Sequence, residues 1–257
     1  MKNIVISLKT AVDRRHHIEQ EFQKNHVNFE FFDALTPDLA KPYAEKILAK
    51  LQDSNLTGGE LACMMSHVSI WQKMIDEDIP YLAIFEDDVY LGEDAEYLLN
   101  TTNWIKPIWN IIKLETVNDK VFLSTDRHEV IAKKRYITQL KGIHLGSGGY
   151  ILSLNGAKTY FDYFTGNKLI PIDELIFDAS LREHLEPIYQ MTPALCIQEV
   201  ILRGANSELL LLGSLITDRK NENEKMKKPL AYKLKREVSR LALQVKKAMY
   251  AEEIPFK

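Results

Sequence analysis

Cysteine is scarce in this sequence, and its positions argue against a common class of metal site. The 257 residues include two cysteines, Cys63 and Cys196, and each lies inside an apolar stretch. No Cys/His pattern has the spacing of a structural zinc site. We therefore expect two reduced, buried thiols, which is the usual state of cysteine in a cytoplasmic protein.

Long apolar runs are also lacking. No run approaches the length of about 18–20 apolar residues that a membrane-spanning helix needs. The first seven residues offer too few apolar side chains before Lys9 to form a signal peptide. The sequence therefore predicts a protein without a membrane span that works in the cytoplasm.

Glycine-rich nucleotide loops are the third absence. Neither a Gly-x-Gly-x-x-Gly segment nor a Walker loop occurs, which disfavours a dinucleotide or ATP site of those types. Residues 1–218 carry 21 basic and 31 acidic side chains, whereas residues 219–257 carry 12 basic and 5 acidic ones. The acidic body argues against nucleic acid as a partner.

Hydrophobic periodicity predicts an α/β fold in which strands alternate with helices. Strands are expected at residues 3–8, 29–32, 81–85, 108–114 and 149–154, with a last extended segment at 192–200. Helices are expected at residues 13–24, 37–52 (one helix or two short ones), 60–76, 155–164 and 173–184. This alternation favours a mainly parallel sheet.

The composition changes after Asp218. Residues 219–228 are polar and predict a linker, and an apolar stripe through Leu234, Val238, Leu241 and Val245 then predicts a basic amphipathic helix. We therefore divide the chain into a globular domain at 1–218 and a tail at 219–257. Such a helix can lie on the anionic cytoplasmic face of the inner membrane, or it can pack on the globular domain or on a second subunit of a homodimer.

The most informative motif is the acidic triplet Glu86-Asp87-Asp88, which directly follows an apolar strand. In open α/β sheets, ligands bind beyond the carboxyl ends of the strands. Three adjacent carboxylates repel one another unless a cation neutralises them, and Mg²⁺ or Mn²⁺ prefers oxygen ligands and bridges carboxylates to a diphosphate. A solvated acidic loop would show the same triplet.

Further candidates lie near the first strand and on the helix at 60–76. Ser7 and Leu8 end the strand where a nucleotide could be held by backbone groups, and Arg14 and Arg15 are close enough in sequence to reach phosphates. His67 falls beside an apolar stripe. It could bind a ligand, or it could sit at the edge of the core.

Two segments in the second half of the chain also have a functional and a structural interpretation. His144, Ser147, Gly148 and Gly149 belong to a glycine-rich turn in which backbone can approach a ligand, although a tight connection would look the same. Asp173 and Glu174 lie at a helix start, where a carboxylate caps the helix or serves as the general base for an acceptor hydroxyl.

Several of these segments stand in the order that characterises a known family. They are Ile4-Val5-Ile6-Ser7-Leu8 with Arg14-Arg15, Phe32-Asp33-Ala34, Gly59-Glu60-Leu61-Ala62-Cys63 running into Ser66-His67, and Leu82-Ala83-Ile84-Phe85-Glu86-Asp87-Asp88. Together they resemble glycosyltransferase family 25, the bacterial lipooligosaccharide glycosyltransferases related to the catalytic domains of collagen galactosyltransferases. The similarity covers residues 2–200, and Ala62 stands where relatives often have glycine.

The resemblance implies a GT-A (Rossmann-like) nucleotide-sugar-binding fold with residues 1–218 as the catalytic domain, a UDP-sugar donor and a Mn²⁺ or Mg²⁺ ion. It also implies inverting transfer of galactose, or next of glucose, to a lipooligosaccharide core acceptor through a β-glycosidic bond. The roles it implies are donor contacts for Ser7, Leu8, Arg14, His67, Glu86 and Asp87, metal ligation for Asp88 and Glu86, and acceptor contacts for His144, Gly148 and Gly149. Asp173 is the first candidate for the catalytic base, and Glu174 and Glu115 are the alternatives.

Two other classes of protein compete with this interpretation. A catalytically silent sugar-nucleotide- or glycan-binding protein of the same fold has little need for three crowded carboxylates, so the complete triplet argues against it. A metal-dependent phosphotransferase or nucleotide hydrolase would normally carry a nucleophilic aspartate near the first strand, and residues 4–8 contain none.

Overall fold

The computed structural model describes residues 1–47, 54–204 and 250–257. Its helices are α1 (Val12–Lys24), α2 (Pro37–Lys46), α3 (Gly58–Asp76), α4 (Ala95–Asn100), α5 (Leu154–Gly166), α6 (Ile172–Glu174), α7 (Ser180–Arg182) and α8 (Glu199–Arg203), and a π-helical turn at Leu175–Ala179 joins α6 to α7. Its strands are β1 (Lys2–Ser7), β2 (Glu30–Asp33), β3 (Tyr81–Glu86), β4 (Val89–Leu91), β5 (Ile111–Lys113), β6 (Lys120–Val121), β7 (Leu123–Ile131), β8 (Arg135–Leu140), β9 (Gly149–Ser153), β10 (Ile188–Thr192), β11 (Cys196–Gln198) and β12 (Glu252–Glu253).

Eight of these strands form one sheet in the order β2-β1-β3-β9-β5-β10-β8-β7. Strands β2, β1 and β3 are parallel, and β5 is parallel to β10. Strand β9 runs antiparallel to both β3 and β5, and β8 runs antiparallel to both β10 and β7. The predicted α/β class is confirmed, but the expectation of a mainly parallel sheet is wrong. An apolar run shows that a strand is buried and says nothing about its direction.

Both faces of the central strands are apolar because helices cover both faces of the sheet. In β1, Ile4 and Ile6 pack into one cluster with side chains of α3 and α5, and Val5 packs into the opposite cluster with side chains of α1 and α4. In β3, Ile84 and Phe85 divide between the same two clusters. The ends of β1 and β3 are thereby fixed side by side.

Helix α3 begins with a capping box. The Thr57 side chain accepts a hydrogen bond from the Glu60 backbone N–H at 3.2 Å, and the Glu60 carboxylate accepts from the Thr57 backbone N–H at 2.8 Å. This exchange satisfies two donors that a helix start otherwise leaves open. The helix therefore starts at Gly58, two residues earlier than its apolar stripe indicates.

The sequence did not predict strands between residues 115 and 148, yet β7 and β8 form a long hairpin there. Strand β7 is mostly polar, so it lacks the apolar alternation that marks a strand. The predicted extended segment at 192–200 is also divided. Strand β10 ends at Thr192, β11 pairs antiparallel with β4, and the last residues already belong to α8.

Residues 250–257 pack on the body of the protein. Strand β12 pairs with β6, Ile254 is fully buried, and the Ala194 N–H donates to the Pro255 carbonyl at 2.8 Å. The predicted boundary after Asp218 and the predicted amphipathic helix lie outside the described residues. Within the described ranges, no helix combines the length and the apolar composition that crossing a membrane requires.

Candidate active site

A cleft lies where β1 and β3 end, and it consists of two adjoining cavities. The first, the β1 half, has a volume of about 390 Å³ and is lined by the end of β1, the start of α3 and the acidic triplet. The second, the α6 half, has a volume of about 380 Å³ and is lined by the loop at 145–147 and the start of α6. Cys63, Glu86 and Gln198 line both halves, and we call these three residues the waist.

The three carboxylates of the acidic triplet have different partners. Glu86 accepts from the Ser147 hydroxyl at 2.6 Å through Oε1 and from the Gln198 amide at 3.1 Å through Oε2. The same Gln198 nitrogen donates to Asp88 Oδ1 at 3.1 Å. Asp87 is the member of the triplet that is paired closely with an arginine.

That arginine is Arg14, and its Nη1 lies 2.6 Å from Asp87 Oδ1 and 3.9 Å from Asp88 Oδ2. The Arg14 side chain is 12% exposed and lines the β1 half. A guanidinium held in this way is oriented for a phosphate group. Asp87 therefore positions Arg14 and is less available to a metal ion than Asp88.

Arg15, which follows Arg14 in the sequence, is bound by other groups of the protein. It donates to the carbonyl oxygens of Ser7 at 3.0 Å and Leu8 at 3.1 Å, and it pairs with Asp33 at 2.6 Å. Ser7 and Leu8 line the β1 half, as Arg14 does. The structure thus brings these three predicted donor contacts together and assigns Arg15 to the support of the β1 exit.

The environment of the triplet changes the proton affinity of two of its members. Burial, followed by the negative charge of Glu86, raises the pKa of Asp88 to about 7. Burial also raises the pKa of Glu86, but His67, Ser147 and Arg14 more than offset this, so that the net pKa lies below its ordinary value. Negative charge is therefore crowded at this point and is only partly compensated by the protein.

The oxygen atoms of the triplet fit a hard divalent cation. Glu86 Oε2 and Asp88 Oδ1 both lie 3.1 Å from a single nitrogen atom of Gln198, so the two carboxylates converge on one point. Mg²⁺ and Mn²⁺ prefer such oxygen donors, and a cation that replaced the Gln198 amide as their partner would relieve the repulsion between the two groups.

His67 also reaches the cleft, from the buried face of α3. Its Nδ1 lies 2.9 Å from the Tyr150 hydroxyl, and its Nε2 lies 3.9 Å from Glu86 Oε1. The ligand atoms of Cys63, His67 and Glu86 lie within 4.8 Å of one another. A metal ion could bind this group only if His67 Nε2 carries no proton.

The α6 half contains the predicted base candidates Asp173 and Glu174. Asp173 Oδ1 accepts from the Glu174 backbone N–H at 2.9 Å, and Oδ2 accepts from the Gly146 N–H at 3.4 Å. The carboxylate is therefore fixed at the helix start while it still lines the cleft. The structural and the functional interpretation of Asp173 are both compatible with this geometry.

Glu115, the remaining base candidate, lies behind the cleft wall. It is fully buried, and its Oε2 is 3.1 Å from Lys113 Nζ and accepts from the Gly148 N–H at 3.0 Å. Burial raises the pKa of the Glu115 carboxyl, and the Lys113 ammonium opposes part of this shift. Glu115 is not among the described residues that line either half. The geometry therefore favours Asp173 and Glu174 over Glu115.

The predicted acceptor contacts His144, Gly148 and Gly149 are likewise buried, and none of them is among the described residues lining the cleft. A Cβ at Gly148 would lie 2.8 Å from Glu115 Oε1, and one at Gly149 would lie 2.3 Å from Cys196 Sγ. Close packing inside the protein accounts for both glycines. The loop exposes Leu145, Gly146 and Ser147 to the cleft instead.

Sequence reasoning gave no role to the side chains of Cys63, Ser147, Tyr150 and Gln198, although the first three lie in segments that it had singled out. Gln198 meets Glu86 across 112 positions of sequence, and Ser147 meets it across 61. No local pattern marks such contacts. The spacing of Cys63 and His67 on one helix was the one signal in the sequence that could have been used.

Comparison with known proteins identifies the family. The model of glycosyltransferase family 25 (LPS biosynthesis protein) matches residues 1–176. The lacto-N-neotetraose biosynthesis glycosyltransferase LgtE of Neisseria gonorrhoeae is 33% identical over 97% of this chain and 93% of its own length. The lipooligosaccharide biosynthesis protein lex-1 of Haemophilus influenzae is 33% identical over 92% of this chain and 88% of its own length. The lipooligosaccharide biosynthesis protein lic2B of Haemophilus influenzae is 37% identical over 77% of this chain and 76% of its own length. The chain belongs to glycosyltransferase family 25 and is a glycosyltransferase.

Solved structures similar to this chain include two further glycosyltransferases. One is involved in glycosylation of the major capsid of PBCV-1, with a TM-score of 0.42, 10% identity, and coverage of 77% of this chain and 91% of that chain. The other is mouse xyloside xylosyltransferase 1, with a TM-score of 0.41, 9% identity, and coverage of 72% and 83%.

Proposed function

We propose that this glycosyltransferase moves a hexose from a UDP-sugar to a lipooligosaccharide core acceptor, with galactose favoured over glucose. Relatives named for lacto-N-neotetraose and lipooligosaccharide biosynthesis, in Neisseria and Haemophilus, support the acceptor class. The peripheral membrane contact and the homodimer depend on the tail helix, and both stay predictions because that helix lies outside the described residues.

The observation that carries this proposal is the two-part cleft with Glu86, the first residue of the acidic triplet, at its waist. The β1 half holds the predicted donor contacts Ser7, Leu8, Arg14 and His67. The α6 half holds a fixed carboxylate, Asp173. A glycosyltransferase needs this arrangement, because the donor and the acceptor must meet at a point where a diphosphate leaves and a hydroxyl loses its proton.

In the proposed reaction, the acceptor hydroxyl oxygen attacks the anomeric carbon of the donor sugar. The bond from that carbon to the phosphate oxygen breaks on the opposite face, so the configuration inverts and UDP leaves. Asp173, or alternatively Glu174, takes the hydroxyl proton. Arg14, held by Asp87, contacts the leaving diphosphate and stabilises the charge that develops on it.

Asp88 and Glu86 would hold Mn²⁺ or Mg²⁺, with Asp88 the preferred direct ligand. The ion, when bound, offsets the negative charge that the diphosphate gains as it departs. Gln198 keeps the two carboxylates aimed at the same point, since one amide nitrogen donates to both. An ion that bound both oxygen atoms would replace these two hydrogen bonds of Gln198.

The experiment that tests the function is donor consumption. Purified protein with Mn²⁺ is given UDP-galactose, UDP-glucose or UDP-N-acetylglucosamine, and UDP release is followed with and without truncated lipooligosaccharide. We expect acceptor-stimulated release from UDP-galactose that is lost in Asp88→Ala. Binding of UDP without release from any donor would instead indicate a silent sugar-nucleotide-binding protein.

Asp173→Asn tests the proposed base. The amide keeps the shape of the side chain but cannot take a proton, so we expect transfer to fall by about 10²- to 10⁴-fold. UDP binding, measured by calorimetry, should stay unchanged because Asp173 lies in the other half of the cleft. Near-normal transfer by this variant would exclude Asp173, and Glu174→Gln would then be the next variant to measure.

A further inference from the structure

Three buried side chains form a hydrogen-bonded chain behind the waist. Trp71 and His67 lie one turn apart on α3, and both contact the hydroxyl of Tyr150, in the central antiparallel strand β9. Trp71 Nε1 donates to the Tyr150 oxygen at 3.0 Å, and His67 Nδ1 lies 2.9 Å from the same oxygen. All three side chains have no exposed surface.

The direction of each hydrogen bond follows from counting protons. An indole N–H can only donate, so the Tyr150 oxygen accepts from Trp71. Burial raises the pKa of Tyr150 well above its ordinary value, so the hydroxyl keeps its one proton. Among the described residues, the only other hydrogen-bond partner of that hydroxyl is His67 Nδ1.

The reverse arrangement is unfavourable. If His67 Nδ1 carried the proton and donated to Tyr150, the tyrosine proton would be buried without an acceptor. Leaving a buried donor unsatisfied costs about 1–3 kcal/mol. In that arrangement the lone pair of His67 Nε2 would also face the Glu86 carboxylate oxygen at 3.9 Å, whereas in the other arrangement a hydrogen on Nε2 faces it. The favoured arrangement therefore has Tyr150 donating to Nδ1, and the neutral imidazole then carries its hydrogen on Nε2.

The Nε2–H group points into the waist. Within the described part of the chain, His67 Nε2 has no hydrogen-bond partner, although it has no exposed surface. It lies 3.9 Å from Glu86 Oε1, which is too far for a direct hydrogen bond. One ligand oxygen between the two atoms could be within bonding distance of both.

The chemistry of that oxygen is restricted. It must accept from His67 and donate to the Glu86 carboxylate, and a hydroxyl group can do both. A phosphate oxygen has no proton to donate and would be repelled by Glu86. His67 and Glu86 both line the β1 half, to which the proposed function assigns the donor, so a hydroxyl at this point is assigned to the sugar being transferred.

We propose that Tyr150 is a positioning residue that fixes His67 in the Nε2–H tautomer, and that His67 and Glu86 together bind one hydroxyl of the transferred sugar. The assignment of that hydroxyl to the donor sugar rests on the proposed function. The two carboxylate oxygens of Glu86 then have different partners, since Oε1 faces the hydroxyl and Oε2 faces the cation site with Asp88. The group of Cys63, His67 and Glu86 is not a metal site in this tautomer, because a protonated nitrogen cannot be a ligand.

The tautomer is measured directly by ¹⁵N NMR of the histidine rings in the wild-type protein. The chain has seven histidines, and His67→Gln identifies the signals of His67. We expect a protonated Nε2 and an unprotonated Nδ1, and Tyr150→Phe should lower the population of this tautomer. A protonated Nδ1 in the wild type would overturn the proposal, and this result does not depend on whether the protein transfers a sugar.

Donor analogues that each lack one hydroxyl test the ligand. For the wild type, we expect kcat/KM to fall by about tenfold or more with one deoxy donor, as for the loss of one hydrogen bond to a charged group. Tyr150→Phe should show a similar fall with the intact donor but little further loss with that deoxy donor. Equal further losses in wild type and variant would contradict the pairing of His67 with this hydroxyl.

Tyr160→Phe is the matched control. Tyr160 is also fully buried, and its hydroxyl bonds to Ser180 rather than to His67. We expect this variant to keep the wild-type tautomer and the wild-type ratio between intact and deoxy donors. If Tyr150→Phe behaved like Tyr160→Phe, Tyr150 would have only a packing role. If no donor were consumed while the tautomer was as expected, the proposed function would have failed and the positioning by Tyr150 would stand.

Discussion

At the scale of single residues, the ion pair of Lys113 and Glu115 illustrates how a carboxylate near an active site can be structural. Both side chains have no exposed surface, and the Lys113 ammonium lies 3.1 Å from Glu115 Oε2 and also donates to the Gly146 carbonyl. The ammonium further lies 4.1 Å from the centre of the Phe177 ring. The pair therefore anchors the loop that carries Gly146 and Ser147 to the cleft.

We expect Glu115→Gln to lower the free energy of unfolding by about 3–5 kcal/mol, because it leaves the Lys113 charge buried without a counterion. Denaturant titration measures this change. The double variant Lys113→Met/Glu115→Gln removes both charges and should recover part of the loss. An unchanged stability together with abolished transfer would instead mark Glu115 as the base.

The sequence predicted those cleft residues that lie at the ends of helices and strands. Glu86, Asp87 and Asp88 follow an apolar strand, and Asp173 starts a helix, so local patterns locate them. Ser147 and Gln198 hold Glu86 through contacts between distant parts of the chain, for which a single sequence carries no signal. The tautomer of His67 likewise depends on a tyrosine 83 positions away.

At the scale of elements, the position of β9 between β3 and β5 depends on close packing at its first residue. A Cβ at Gly149 would lie 2.3 Å from Cys196 Sγ and 3.0 Å from the Phe85 ring. Strand β9 has a buried apolar sequence, which predicted its existence. Strand β9 is antiparallel to its neighbours because of the path that the chain takes between β8 and α5. Hydrophobic periodicity does not predict the direction of a strand.

Gly149→Ala should destabilise the protein by about 1–3 kcal/mol, as overpacking of a core does. The midpoint of thermal unfolding is a suitable measurement. Gly166→Ala, at the end of α5, is the control, since a Cβ there would meet no atom within 4 Å. Equal stability of the two variants would show that the strands around Gly149 can separate at little cost.

At the scale of the whole molecule, the segment at 250–257 joins parts of the body that are distant in sequence. Strand β12 pairs with β6, the Thr116 hydroxyl donates to the Ile254 carbonyl at 2.7 Å, and Arg135 donates to the Lys257 carbonyl. The charge and periodicity of the tail predicted a separate unit. They could not show that its last residues contribute a strand and a core side chain.

Ile254→Ala is therefore expected to cost about 2–5 kcal/mol, the usual range for truncating a fully buried aliphatic side chain. Ile254 has no exposed surface, whereas Ile108 is 65% exposed, so Ile108→Ala is the matched control and should change little. Urea unfolding of the full chain measures both. A loss in Ile254→Ala no larger than that in Ile108→Ala would mean that the segment adds nothing to stability.

The shared waist has a consequence for how the two substrates influence each other. Because Cys63, Glu86 and Gln198 line both halves, a ligand that shifts one of these side chains changes the surface that the other ligand meets. Binding in one half then alters affinity in the other, and thermodynamic linkage makes the effect reciprocal. A donor in one half and an acceptor in the other would each be an effector of the other's affinity, and the coupling free energy would be located in three side chains.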